Sequence, residues 1–246
     1  MRSFSLAWQF LTIFPWRVSP GEVRPVLLGR SMGFYPIIGL ILGLILWGAF
    51  ILSAMVFPRL LTDGLMILLL VLCTGGLHLD GLADSCDGLA LGKTPEERLA
   101  IMKDHRIGTF GVLGLILVLG IKFLALDALP APSVGKAWMV ILAGSRWSMV
   151  QLTYFMPYAR KEGGLGFVFK ENIKTGVFTG ATVLTLAISV LLLGWQGIVI
   201  MGMVSLSALG IQRFFGKKIG GFTGDILGAA NELNETLGLL VLAAIL

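Results

Sequence analysis

Apolar residues run through this chain in long, unalternated stretches separated by short polar ones. Stretches near 34–57, 62–79, 109–127, 137–157, 176–194, 196–212 and 226–246 approach the length that carries a helix across a ~30 Å hydrocarbon layer, about 20 residues. Within lipid only helices and closed barrels satisfy their own backbone, and a barrel would need strict alternation. The pattern therefore predicts an all-α, polytopic integral membrane helix bundle of about six to seven transmembrane helices, built as one domain over residues 1–246. Only Gly194-Trp195-Gln196-Gly197 separates the fifth and sixth spans, which predicts a tight turn. The seventh is the weakest as a span, because its first half carries Asn231, Glu232, Asn234 and Glu235. Residues 1–33 carry Arg2, Arg17, Arg24 and Arg30 and are interrupted by Pro15, Pro20 and Pro25. They read as an amino-terminal interfacial arm and not as a cleavable signal, with the amphipathic, aromatic stretch Phe4–Trp16 lying along the membrane surface.

Composition sharpens the class. The chain is 56% hydrophobic and 13% charged, and a mean hydropathy of +0.90 excludes a water-soluble domain. Thirty-three glycines suit close packing between membrane helices. Cys73 and Cys86 read as packing residues and not as a disulfide. Of nineteen Lys and Arg, fifteen fall in four segments that would share one side: the arm, 80–108, 158–175 and 213–225. Only Arg59 and Lys136 fall opposite, while Lys122 and Arg146 lie inside spans. The positive-inside rule makes the rich side cytoplasmic. The net charge of +5 thus follows from topology and anionic ligands and gives no reason to expect nucleic acid.

Candidate chemistry gathers on that side. In His78-Leu79-Asp80-Gly81-Leu82-Ala83-Asp84-Ser85-Cys86-Asp87-Gly88, a helix would put Asp80, Asp84 and Asp87 at i, i+4 and i+7, within an arc of roughly 60°. Like charges so placed repel one another. A divalent cation is the simplest counter-charge, and hard oxygen ligands suit Mg²⁺. Gly81 and Gly88 would admit a close neighbour. His78 falls on the far side of the helix, a packing or hydrogen-bonding residue and a candidate substrate contact.

In Lys103-Asp104-His105-Arg106-Ile107-Gly108-Thr109-Phe110-Gly111, Asp104 is a candidate further ligand or general base. Lys103 and Arg106 could hold phosphate oxygens. Gly108 and Gly111 would let a phosphate approach a helix amino terminus. In Gly220-Gly221-Phe222-Thr223-Gly224-Asp225, Thr223 would cap a helix that carries Asp225 and Glu232 on one face. Gly221, Thr223, Asp225 and Glu232 are candidate substrate contacts, with Asp225 beside the metal. The stretch Tyr158–Gly166, with Arg160, reads as a basic lid or a solvated connector. Arg146, mid-span, needs a carboxylate or phosphate partner, whereas Lys122 could snorkel. Carboxylates, Mg²⁺, cations and glycine turns at one mouth suggest phosphoryl transfer.

The run Thr74–Gly88 resembles the signature of the cobalamin synthase (adenosylcobinamide-GDP ribazoletransferase) family. The similarity extends along nearly the whole chain, through Phe10-Leu11-Thr12 with Pro15, Phe34–Gly39, Met102–Thr109, Tyr158-Ala159-Arg160 with Gly164-Leu165-Gly166, and Gly220–Asp225 with Gly228-Ala229. The resemblance implies an Mg²⁺-requiring enzyme of the bacterial inner membrane. It would join adenosylcobinamide-GDP to α-ribazole or its 5′-phosphate with release of GMP, the final assembly of vitamin B12. A homo-oligomer and other cobalamin-assembly enzymes are further candidate partners. CDP-alcohol phosphotransferases offer a chemical parallel, but their aspartate spacing is not reproduced. A cation-coupled transporter is the alternative from another class; it would place polar groups near the midplane between broken helices.

Overall fold

The computed structural model describes residues 2–16 and 23–246, so Arg17 and Pro20 of the arm lie outside the described residues. Twelve α-helices occupy the described residues: α1 (Arg2–Leu11), α2 (Pro25–Ser31), α3 (Tyr35–Ala54), α4 (Arg59–Thr74), α5 (Leu77–Leu91), α6 (Pro95–Ile101), α7 (Thr109–Asp127), α8 (Val134–Phe155), α9 (Leu165–Asn172), α10 (Thr175–Leu193), α11 (Trp195–Ile219) and α12 (Gly224–Ile245). The apolar stretches of the sequence are recognisable in α3, α4, α7, α8, α10, α11 and α12.

Among the described residues, four helices are both long and apolar enough to cross a membrane: Pro25–Ala54, Thr109–Asp127, Thr175–Leu193 and Trp195–Ile219. The pair α4 and α5 makes a fifth if counted as one broken span. By length and composition the candidate spans thus number four or five, slightly fewer than the six to seven expected, and the reason is where α8 and α12 sit. α8 packs against α3, α10, α11 and α12, and every residue from Ala137 to Thr153 is buried. An interior helix has no lipid face to keep apolar, so it can carry Ser145, Arg146, Ser148, Gln151 and Thr153. The outer helices instead turn side chains such as Leu117, Leu191 and Leu206 outward. Gly39 and Gly43, one turn apart on α3, let its backbone rest on α8; a Cβ on either would overlap the backbone at Leu142 or Met139.

Two boundaries also move. The arm ends sooner than residue 33, because Pro25 opens a helix that continues through a short 3₁₀ turn, Met32–Phe34, into α3. The span expected over 62–79 stops at Thr74. Gly75 and Gly76 adopt left-handed conformations, φ +61° and +71°, and α5 leaves at 90° to α4. Cys73 and Cys86 are free.

The cation-rich loops meet at one end of the bundle. Arg98 donates to the carbonyl of Lys218 at 3.2 Å, and Lys103 Nζ reaches Glu162 at 3.0 Å. At the opposite end Arg59 pairs with Asp63 and donates to the carbonyl of Leu126 at 2.7 Å.

Candidate active site

α5 reaches the cationic end of the bundle already pressed against α12. A Cβ on Gly81 would come within 2.7 Å of the Asp225 carbonyl, and one on Gly228 within 3.1 Å of the His78 carbonyl. This contact sets Asp80 and Asp84 of α5 beside Asp225, in the first turn of α12. Thr223 caps α12 as its sequence predicts: its Oγ1 accepts from Ile226 N at 3.3 Å and donates to Asp225 Oδ2 at 3.1 Å.

Two backbone hydrogen bonds join the loop after α8 to the turn before α12. Phe222 N donates to Pro157 O and Ala159 N to Phe222 O, each at 2.9 Å. Gly221 is required there for space, because a Cβ would overlap the Pro157 carbonyl. The splice delivers Arg160 to Asp225, guanidinium to Oδ2 at 2.7 Å. It also fixes the loop so that Lys103 can meet Glu162, and that hydrogen bond holds the Glu162 carboxyl below the usual carboxylate range.

The result is a cavity of about 360 Å³ whose wall includes Asp80, Asp84, Asp104, Asp225, Lys103 and Arg160. Four motifs dispersed over more than half the chain converge on it. Asp84 feels the repulsion of Asp80, Asp225 and Asp87, offset in part by Arg160. Among the described residues no three His, Cys, Asp or Glu approach closely enough to hold a metal ion by themselves.

Several candidates belong elsewhere. Asp87 was expected beside Asp80 and Asp84 as a metal ligand. It is buried instead, with Oδ2 accepting from Gly108 N at 2.7 Å and Oδ1 from Gly111 N at 2.9 Å. The amino terminus of α7 does take an anion, as its glycines suggest, but the anion is the Asp87 carboxylate and not a phosphate. Arg106 points into solvent and lies 3.7 Å from Asp104. Glu232 shares a helix face with Asp225 but lies two turns along, about 10 Å deeper. There it meets Lys122 Nζ at 2.6 Å, and Glu235 binds the same nitrogen at 2.6 Å. Arg146 pairs with Glu235 as well. Arg146 thus finds the carboxylate it needs inside the bundle rather than a substrate phosphate, and Lys122 is buried, not snorkelling. His78 is buried with neither ring nitrogen hydrogen-bonded. Glu235 carries no site role in the sequence pattern, since its cationic partners lie 89 and 113 positions away. His105, quoted in its motif without a role, also lines the cavity.

A membrane-embedded helical bundle with a carboxylate-rich, cation-flanked cavity at one end defines a class of integral membrane enzyme that handles phosphorylated substrates. The family model described as cobalamin-5-phosphate synthase matches residues 3–243, and the chain belongs to that family. It is 42% identical to the adenosylcobinamide-GDP ribazoletransferase of Geotalea daltonii, over 100% of this chain and 98% of the relative. It is 38% identical to the protein of that name from Desulfitobacterium hafniense, over 98% of this chain and 96% of the relative. The Pseudomonas fluorescens protein is 40% identical over 99% of both chains. No solved structure matches the chain.

Proposed function

We propose that the protein is an adenosylcobinamide-GDP ribazoletransferase that carries out the final assembly step of cobalamin on the cytoplasmic face of a bacterial inner membrane. The observation that supports this most directly is the single cavity in which Asp80, Asp84, Asp104, Asp225, Lys103 and Arg160 meet, in a chain that its relatives match end to end. The cationic loops gathered around that cavity support a cytoplasmic orientation.

The reaction is a displacement at phosphorus. A hydroxyl of α-ribazole, or of its 5′-phosphate, attacks the phosphorus on the cobinamide side of the diphosphate. A new P–O bond forms, the bridging P–O bond breaks, and GMP leaves with the electron pair. Asp104, on the same wall, accepts the hydroxyl proton. Lys103 and Arg160 stabilise the negative charge that gathers on the phosphoryl oxygens. Asp225 and Thr223 keep the Arg160 guanidinium aimed at the cavity.

Asp80 and Asp84 would hold Mg²⁺. Mg²⁺ usually takes one or two carboxylates together with substrate phosphates and waters, so two hard oxygen donors a turn apart fit it without a third protein ligand. When bound, the ion neutralises diphosphate charge and polarises the phosphoryl group.

The test is release of GMP from adenosylcobinamide-GDP by purified protein. It should require α-ribazole and Mg²⁺ together. Release that ignores the acceptor, or that persists in excess chelator, would overturn the assignment.

A further inference from the structure

Asp80 lines three cavities at once. One is the polar cavity of about 360 Å³ already described. The second, of about 630 Å³, opens outward past Gln9, Thr12 and Ile13. The third is a smaller chamber of about 180 Å³ on the other side of Asp80 and Asp225, walled by Phe10, Met149, Phe169, Leu227 and His78.

The small chamber differs from its neighbours in chemistry. Its walls are mostly apolar or aromatic, and Phe10 and Phe169 stand edge to face at 5.3 Å between centroids. His78 supplies polarity. It is 1% exposed, and neither Nδ1 nor Nε2 has a partner. A neutral imidazole carries one donor and one acceptor. Leaving the donor unmade in a buried wall is unfavourable unless a ligand accepts from it. Pockets for drug-sized ligands run ~300–1,000 Å³, so this smaller chamber suits a flat ring system and excludes a macrocycle.

We propose that this chamber binds the flat aromatic base of the acceptor nucleoside, with a hydrogen bond between His78 and the base's free ring nitrogen. The inference rests on the transferase reading above. A benzimidazole riboside has an apolar fused bicycle and a single unsubstituted ring nitrogen, so one imidazole satisfies it. A guanine would need a free carboxylate along its N–H edge, and Asp225, at this wall, already accepts from Arg160 and Thr223. The diphosphate of a guanosine nucleotide also matches the cations of the larger polar cavity. Asp80 and Asp225, on the boundary between the two chambers, place the acceptor's ribose at the diphosphate. His78 and the ring walls are specificity determinants and take no part in bond making.

Gly224 lines the same chamber, and a Cβ there meets nothing within 4 Å. Gly224→Leu therefore adds bulk at the edge of the chamber with no clash at its Cβ. With purified protein, it should raise the KM for α-ribazole at least about tenfold while the KM for adenosylcobinamide-GDP stays within twofold. The wild type should prefer a benzimidazole riboside about tenfold over the indole riboside, which lacks the free nitrogen. His78→Phe should erase that preference while keeping measurable turnover. Equal changes in both KM values, or a preference that survives in His78→Phe, would overturn the chamber's assignment. Absence of GMP release in the wild type would instead overturn the transferase reading itself, so the two failures are distinguishable.

Discussion

Two clusters of charge lie along α12, and they are built on opposite terms. Near the middle of the bundle, Lys122 and Arg146 face Glu232 and Glu235, two cations against two anions, all buried. At the mouth, the carboxylates of Asp80, Asp84, Asp104 and Asp225 outnumber the cations Lys103 and Arg160 on the same cavity wall. One cluster closes on itself, and the other carries an excess of negative charge on an open wall. A buried ion pair need add little net stability, but removing one partner strands a charge and is strongly destabilising. A partly open carboxylate cluster can lose a member without unfolding, because water reaches the rest. The difference separates charges that hold the bundle together from charges that act on substrate.

That separation can be broken by substitution, and Glu235→Gln should have the largest effect. It leaves Lys122 and Arg146 with one carboxylate between them and should lower stability by about 3–5 kcal/mol, read as the thermal midpoint of purified protein in detergent. Adding Lys122→Met should recover part of the loss; no recovery would show that the cluster is not balanced by charge. Asp84→Asn should do the reverse, reducing turnover at least about 100-fold while the midpoint stays within one or two degrees. Unaltered GMP release in that variant would remove Asp84 from the chemistry.

Asp87→Ala comes next and tests the division within a single helix. It deprives Gly108 and Gly111 of their acceptor and should cost about 1–3 kcal/mol of stability. Activity should fall only as far as the folded fraction falls. A variant that folds normally and is inactive would return Asp87 to the metal. Glu162→Gln should have the smallest effect, less than threefold on turnover. The pH dependence of its bridge follows from the lowered carboxyl. The bridge is present above the ordinary glutamate value of 4.5 and is lost as pH falls through the lowered one. Because it is exposed it should also fade with added salt, and a bridge insensitive to both would contradict this placement.

Much of the mouth was legible in the sequence. The spacing of Asp80 and Asp84, the cap at Thr223, the need to pair Arg146 and the gathering of cations on one side are all local or compositional signals. What stayed hidden depends on distant partners. Asp87 has the same periodicity as Asp80 and Asp84, yet α7 crosses there and claims it, through donors 21 and 24 residues on. Glu232 shares a face with Asp225, but helical periodicity does not report depth. Lys122 looks like a snorkelling residue until its partners, 110 and 113 positions later, are known. Apolar length likewise marks a helix without saying whether lipid or protein surrounds it, which is why α8 and α12 read as spans.

The corner at Gly75-Gly76 has a geometric consequence. In an upright helix, residues four apart differ in depth by about 6 Å, so two carboxylates on one face would sit at different levels of the bilayer. The corner turns α5 by 90° from α4, so with α4 along the membrane normal α5 lies parallel to the surface. Asp80 and Asp84 then stand side by side at a common height, like two posts on a quay, where a water-borne diphosphate can moor against both without descending into oil. Either glycine exchanged for a β-branched residue would tilt that quay, and the two posts would no longer share a waterline.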